Sequence, residues 1–201
     1  MRKKSENQNQ NKMKKSLLII TLAAAAAAIY GCSAERRWGD KERKELRQEI
    51  RAYRDMAYLD NLAELEFDMF SGNVVEAIEI DYPVYTTFVE LPGRGDTVEV
   101  YVVSTIVEEL KANPHNMRNI FPYPMLVEEG VLPPNLNHQA QRAFYDCLSH
   151  RVKQYYPSTL SFFEAIVDSP TTPPAITNMQ LSCAADLFDW GVEVDETIVI
   201  D

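Results

Sequence analysis

The chain has 201 residues, of which 46% are hydrophobic and 25% are charged, and its formal net charge is −10. This composition is typical of a globular protein and excludes a disordered chain, a collagen-like fibre and a multi-span membrane protein. Three cysteines are too few for a small scaffold built on disulfides. The length allows one or at most two ordinary domains.

The N-terminal segment has the parts of a secretory signal. Residues 1–16 are polar and basic, and an apolar run occupies residues 17–29. This run is shorter than the ~20 residues that a membrane-spanning helix needs. A basic region, a short apolar region and a small residue before the break are typical of a cleaved signal peptide. The alternative is a buried, alanine-rich helix.

The apolar run ends in Ile29, Tyr30, Gly31 and Cys32. These residues resemble the lipobox of bacterial lipoprotein precursors, although Tyr30 departs from the small or branched residue usual at its place. The resemblance implies cleavage before Cys32 and diacylation of its sulfur, and two or more acyl chains give stable membrane attachment. Ordinary signal cleavage that leaves Cys32 free is the alternative. We therefore expect a signal peptide at 1–31, an anchor linker at 32–39 and a single domain at 40–201.

The residues after Cys32 bear on the location that this resemblance implies. They are Ser33, Ala34, Glu35, Arg36 and Arg37. They are unlike the acidic signal that often marks surface export in lipoproteins of the Bacteroidetes. Ser33 also differs from the Asp that retains lipoproteins in the inner membrane of enteric bacteria. The resemblance thus favours the periplasmic face of the outer membrane, with surface exposure left open.

The charge is distributed unevenly along the chain. Residues 36–54 hold eight basic and four acidic residues, whereas residues 55–201 hold six basic and 24 acidic ones, a net charge of −18. Nucleic-acid binding needs a basic footprint, so this body of the protein argues against it. The acidic excess has two interpretations, a solvated surface that keeps the protein soluble or a face for a basic protein partner.

Residues 40–70 are predicted to form a long helix, with Asp40 as its N-cap and Ser71, Gly72 and Asn73 as its stop signal. Its basic first half follows the lipid site directly. Cations near an anionic membrane surface contribute ~1 kcal/mol each. This predicts membrane contacts from five residues, and the alternative is a solvated helix with internal ion pairs; the five residues are Arg36, Arg37, Lys41, Arg43 and Lys44.

The pattern after residue 73 predicts a small antiparallel sheet. Residues 74–80 and 84–91 are rich in β-branched and aromatic side chains, residues 97–103 alternate, and residues 91–96 read as a hairpin connection. A final strand is predicted at 192–200. Helices are predicted at 105–112, 138–156, 158–166 and 176–190, and an irregular proline-rich loop at 116–137. The expected fold is α+β, with about four strands packed against four to five helices and preceded by the long basic helix.

Two cysteines remain once Cys32 is assigned to lipid. Cys147 and Cys183 lie on the apolar faces of predicted helices. In an oxidising compartment they could form a disulfide that contributes ~3–4 kcal/mol. Two buried free thiols are the alternative.

No catalytic, metal or cofactor site is predicted. Cys147 and His150 lie three positions apart but carry no family signature, and His115, His138 and His150 lack the spacing of zinc ligands. The acidic pairs at 108–109 and 128–129 are explained as solvated faces. A glycine-rich phosphate loop is absent from the sequence.

The sequence favours a lipid-anchored envelope protein with an acidic, non-catalytic domain that binds or scaffolds a protein partner. One alternative is a small enzyme or glycan-binding lipoprotein that uses the aromatic residues among the prolines, although such residues more often close a core; they are Phe121, Tyr123, Tyr155 and Tyr156. A second alternative is a surface adhesin, because Arg94, Gly95 and Asp96 resemble the integrin-binding motif of matrix proteins.

Overall fold

The computed structural model describes residues 35–191, and these residues form helices rather than a sheet. About 70% of the structure is helical, so the predicted α+β fold with four strands is wrong. The strand predicted at 192–200 lies outside the described residues. The described α-helices are α1 (Asp40–Ile50), α2 (Glu64–Asp81), α3 (Tyr85–Val89), α4 (Arg94–Ala112), α5 (Tyr123–Glu128), α6 (His138–Tyr155), α7 (Thr159–Val167) and α8 (Pro174–Phe188).

The long helix predicted at 40–70 is broken in the middle. Gly39, not Asp40, is the N-cap of α1, and α1 runs into a 3₁₀ helix, Arg51–Tyr53. The break lies after this 3₁₀ helix, where Tyr58 takes the left-handed conformation with φ 83°. This conformation is costly for an aromatic residue. The Arg54 guanidinium donates hydrogen bonds to the carbonyls of Leu59 and Leu62 and so satisfies backbone acceptors that a helix would otherwise pair.

The strand predicted at 74–80 belongs to α2. Phe67, Phe70, Val74 and Ile78 are buried at intervals of three and four residues, which is helical spacing. The expected stop signal at 71–73 lies inside this helix. Burial of one face against the core outweighs the modest helix penalty of β-branched side chains.

The other two predicted strands are also helical. Residues 84–91 contain α3, and residues 97–103 lie in α4, where Val98, Val102, Ile106 and Leu110 repeat every four positions and are buried. Val100, which produced the apparent alternation, is 62% exposed. The hairpin predicted at 91–96 is wrong, because these residues hold the turn into α4 and its first residues.

The helices predicted in the C-terminal half are confirmed. Asn137 caps α6 by accepting a hydrogen bond from the Ala140 amide, and Ser158 caps α7 through the Ser161 amide. Such side-chain caps satisfy amides that have no partner within the helix. The loop predicted at 116–137 contains most of a 3₁₀ helix, Pro114–Asn119, and the short α5.

The packing of these helices leaves one continuous core. Helix α4 packs against α2 and α7, and α6 packs against α8 and the 3₁₀ helix Pro114–Asn119. Arg51, the first residue of the 3₁₀ helix after α1, contacts Glu64 and Asp68 of α2 at 3.2 and 3.0 Å. None of the helices within residues 35–191 has the length and apolar composition needed to cross a membrane.

Candidate functional site

An open cleft of about 770 Å³ lies where three segments of the chain meet. Phe121, Met125 and Ile166 contribute its apolar surface, and Asp60, Glu128 and Glu129 contribute carboxylates. We call this site the acidic cleft. Residues 57–61 lie between α1 and α2, and residues 120–129 include α5. Residues 166–172 hold the end of α7 and most of its connection to α8.

Helix α5 presents the two glutamates. Leu126 is fully buried and fixes the helix to the core. Gly130, at φ 74°, turns the chain so that the amides of Val131 and Leu132 donate to the Leu126 carbonyl. This left-handed turn ends α5 and leaves Glu128 and Glu129 exposed at its C-terminal end.

The third carboxylate of the acidic cleft comes from a different segment of the chain. Asp60 is exposed by surface area, but the atoms packed around its carboxyl group desolvate it and raise its pKa, and Asp55 adds to the effect. Hydrogen bonds from backbone amides and the charge of Arg54 act in the opposite direction on this pKa. The Asn61 amide donates to the Asp60 carboxylate at 2.8 Å and to the Asn119 carbonyl at 3.0 Å. Asn61 therefore joins Asp60 to the end of the 3₁₀ helix Pro114–Asn119.

The residues that line the acidic cleft include three acids and no Lys, Arg or His. A cation that enters would meet carboxylates with no lining cation to compete for them. Beside them, the apolar surface can take an aliphatic or aromatic side chain. The arrangement suits a ligand that carries a positive charge next to an apolar group.

The predicted aromatic groove does not form as a unit. Phe121 lies in the floor of the acidic cleft and is buried. The Tyr123 hydroxyl donates to the Pro133 carbonyl and accepts from the Leu136 amide, both at 2.9 Å, which fixes the intervening loop. Tyr155 and Tyr156 meet edge to face at the end of α6, and Tyr156 packs edge to face against Phe162. Three of the four aromatics therefore brace the structure outside the acidic cleft.

The structure joins Cys147 of α6 to Cys183 of α8 in a disulfide, with their Cα atoms 6.0 Å apart. Bonded in this way, Cys147 has no thiol for His150 to activate, and the His150 ring instead contacts the Gln154 side-chain amide at 2.9 Å. Across residues 35–191, His, Cys, Asp and Glu side chains form no group of three that could hold a metal ion.

The predicted membrane-contacting residues are in different situations. Arg43 forms a two-pronged ion pair with Glu79 of α2, at 2.9 and 2.8 Å, and this pair lowers the pKa of the Glu79 carboxyl. Lys41 lies 3.7 Å from Glu45 and stays largely exposed, as do Arg36, Arg37 and Lys44. Arg43 is thus engaged in helix packing. Cys32 lies outside the described residues.

The Arg-Gly-Asp sequence lies in the first turn of α4, not at a hairpin tip. Arg94 pairs with Glu49 of α1 at 2.8 Å, and the Gly95 carbonyl accepts a hydrogen bond from the Tyr53 hydroxyl at 3.2 Å. Gly93, the N-cap at φ 70°, makes the turn. The geometric argument for adhesion, an exposed hairpin tip, is therefore lost.

Sequence reasoning explained Glu128 and Glu129 as a solvated face, and it did not single out Asp60 or Ile166 as parts of a site. Asp60 was assigned to a continuous helix, and nothing in the spacing of 60, 128 and 166 brings them together. Comparison with models of known protein families, with curated proteins and with solved structures gives no match to this chain.

Proposed function

We propose that this chain is a lipid-anchored cell-envelope protein whose acidic, non-catalytic domain binds a basic protein partner through the acidic cleft. The observation that carries the proposal is the placement of Asp60, Glu128 and Glu129 beside an apolar floor with no cation among the lining residues. The occupant is a peptide segment with a lysine or arginine next to an apolar side chain.

Binding in the acidic cleft should depend both on ion pairs and on apolar contacts. Exposed ion pairs contribute only ~0.2–1 kcal/mol each, so the three carboxylates alone give weak binding. Full burial of an apolar side chain contributes ~1.5–3 kcal/mol, which is the upper limit for a side chain that packs against Phe121 and Ile166 in this open cleft. Added salt screens the charges over ~8 Å at physiological ionic strength, so binding should weaken with salt without vanishing.

Site-specific crosslinking in the envelope tests this function. A photoreactive amino acid at Met125 of the full chain, in the acidic cleft, should capture a discrete partner. The same label at Leu181, which is 40% exposed and absent from the cleft lining, is the matched control. Combining Asp60→Asn, Glu128→Gln and Glu129→Gln should reduce the Met125 product at least tenfold. Equal products from both labels, or a product that persists in the triple variant, would contradict the proposal.

The anchor requires its own test. Cys32→Ala should release the processed protein from the membrane fraction if the sulfur carries lipid. Protease treatment of intact and of permeabilised cells then reports the side of the membrane, and the proposed periplasmic face predicts protection until permeabilisation. A Cys32→Ala protein that is processed normally and still sediments with membranes would show that the lipid anchor is wrong.

The basic residues near the anchor support a second membrane contact. The chain from Cys32 to the start of α1 spans at most ~29 Å when fully extended, so exposed Lys41 and Lys44 stay within reach of the head groups of an anchored protein. Replacing Arg36, Arg37, Lys41 and Lys44 with glutamine should weaken binding of the full chain to anionic vesicles but not to neutral ones.

A further inference from the structure

A second pocket, of about 320 Å³, adjoins the acidic cleft, and the two share Asn61 and Pro122 as lining residues. Its polar lining differs from that of the acidic cleft. We call it the histidine pocket, and the residues that define it are Glu66, His115, Arg118, His138, Gln141 and Tyr145.

Positive groups gather here in a part of the chain that has few of them. Beyond residue 54 the sequence holds six Lys and Arg residues and all three histidines. Arg118, His115 and His138 line the histidine pocket, and Arg142 lies close enough to His115 to affect its pKa. The opposing acids are Glu66, which pairs with Arg118, and Asp146, whose charge acts on His115.

Arg118 keeps hydrogen-bonding capacity after its contacts within the protein. One terminal nitrogen lies 3.1 Å from Glu66 Oε1, and the other lies 3.3 Å from His115 Nε2. A guanidinium has five N–H groups and no acceptor. His115 Nε2 must therefore accept in that contact, which places the proton of the neutral ring on Nδ1. Nδ1 is buried and has no hydrogen-bond partner. Protonation would add an N–H on Nε2 that faces the Arg118 donor, so the contact with Arg118 favours the neutral ring.

We propose that the histidine pocket binds a carboxylate, and that this carboxylate is the C-terminus of the segment that lies in the acidic cleft. The inference rests on the proposed function and names the ligand more closely, as a peptide with a basic residue close to its free C-terminal end. Arg118 is the group that recognises the carboxylate, because arginine pairs with carboxylates through parallel hydrogen bonds. His138, which also lines the pocket, supplies further positive charge when it is protonated.

A small probe tests the histidine pocket without any peptide. N-acetylleucine, titrated into the full chain, should shift the imidazole NMR signals of His115 and His138 saturably and raise the pKa of His115, because a bound carboxylate favours the protonated ring. N-acetylleucinamide, which lacks the carboxylate, is the matched control. Arg118→Gln should weaken the response at least tenfold, and Glu66→Gln, which frees Arg118, should strengthen it. No saturable shift, or one unchanged in Arg118→Gln, would overturn the inference.

Peptide binding separates this inference from the proposed function. A Lys- and Leu-containing peptide with a free C-terminus should bind at least tenfold more tightly than its C-terminal amide, and Arg118→Gln should abolish the difference. If both forms bind equally and the triple variant of the acidic cleft weakens both, the function stands and the carboxylate site falls. If a glutamate within the peptide restores the affinity of the C-terminal amide form, the histidine pocket binds a carboxylate but does not require a C-terminus. That result would overturn the claim that the ligand is a C-terminus. If neither peptide binds, the proposed function fails, and the N-acetylleucine response alone decides whether the pocket takes a carboxylate.

Discussion

Tyr58 combines an unfavourable backbone conformation with complete burial. Its φ of 83° lies in the left-handed region, its ring packs near Phe70, and its hydroxyl donates to Glu109 at 2.5 Å. Burial and this hydrogen bond to a carboxylate both raise the pKa of the hydroxyl. Left-handed backbone at such a residue costs ~1–3 kcal/mol, so the side-chain contacts must hold the break between α1 and α2 in place.

Removal of the Tyr58 hydroxyl tests this role. Tyr58→Phe should lower the free energy of unfolding by ~1–3 kcal/mol, because the half-buried Glu109 loses a donor. Chemical denaturation measures the change. Tyr155→Phe is the control, since Tyr155 is 63% exposed, and it should leave stability unchanged. A Tyr58→Phe protein as stable as the parent would show that the hydroxyl does not support the break.

Two glycines should respond oppositely to alanine. Gly72 lies inside α2, where a Cβ would meet only the flexible Arg47 guanidinium at 3.3 Å. Gly72→Ala should therefore raise the free energy of unfolding by up to ~1 kcal/mol through helix propensity. Gly93 has φ +70°, so Gly93→Ala should destabilise the protein. Thermal unfolding of both variants checks the sign, and a lower Tm for Gly72→Ala would mean that Arg47 cannot move aside.

His115 should make stability depend on pH. Burial first, and then the charges of Arg118, Arg142 and His138, lower its pKa below the ordinary 6.5, while Asp146 acts in the opposite direction. The unfolded chain therefore binds this proton more readily than the folded one, and stability falls as the pH drops below 6.5. His115→Gln should reduce that loss between pH 7 and pH 5, whereas His150→Gln at an exposed position should not. Parallel pH profiles for all three proteins would contradict this assignment.

At the scale of the helices, the disulfide fixes α6 to α8. The bridge spans 36 positions and encloses α7. Replacing Cys147 and Cys183 with serine should lower the free energy of unfolding by ~3–4 kcal/mol, the stabilisation associated with a closed loop of this size. Denaturation with and without reductant measures it. The double variant serves as the control because reductant should leave it unaffected, and a parent protein equally indifferent to reductant would contradict the bridge.

The helices that could be predicted from sequence are those whose apolar positions repeat over several turns and that begin at a recognisable cap. Asn137 and Ser158 mark the starts of α6 and α7, and the apolar positions of α6 recur over five turns. The second half of helix α4 was predicted at 105–112, but its first half was missed because a short window around Val98, Val100 and Val102 alternates. The interval of four that continues to Leu110 is the stronger signal. β-Branched residues have a local preference for strands, and burial of one helix face overrides that preference here.

At the scale of the molecule, the acidic excess could be predicted from the sequence, but the acidic cleft could not. Charge is a sum over residues and needs no fold. The acidic cleft needs Asp60 beside Glu128 and Glu129, which depends on the break at Tyr58 and on the packing of α5. Neither the separation of these three residues along the chain nor their residue types specifies that they line the same cleft. The histidine pocket is likewise assembled from the 3₁₀ helix Pro114–Asn119, the start of α6 and α2.

The Cys147–Cys183 bridge also makes a covalent ring of the chain that includes residues 169–172, which line the acidic cleft. Pro170 and Thr171 are exposed in this connection, and exposed connections are preferred sites of proteolytic nicking. A single cut there would divide the polypeptide while both pieces stay linked through sulfur. Such a nicked protein would migrate as one species on a non-reducing gel and as two after reduction, so an intact band without reductant does not establish an intact cleft.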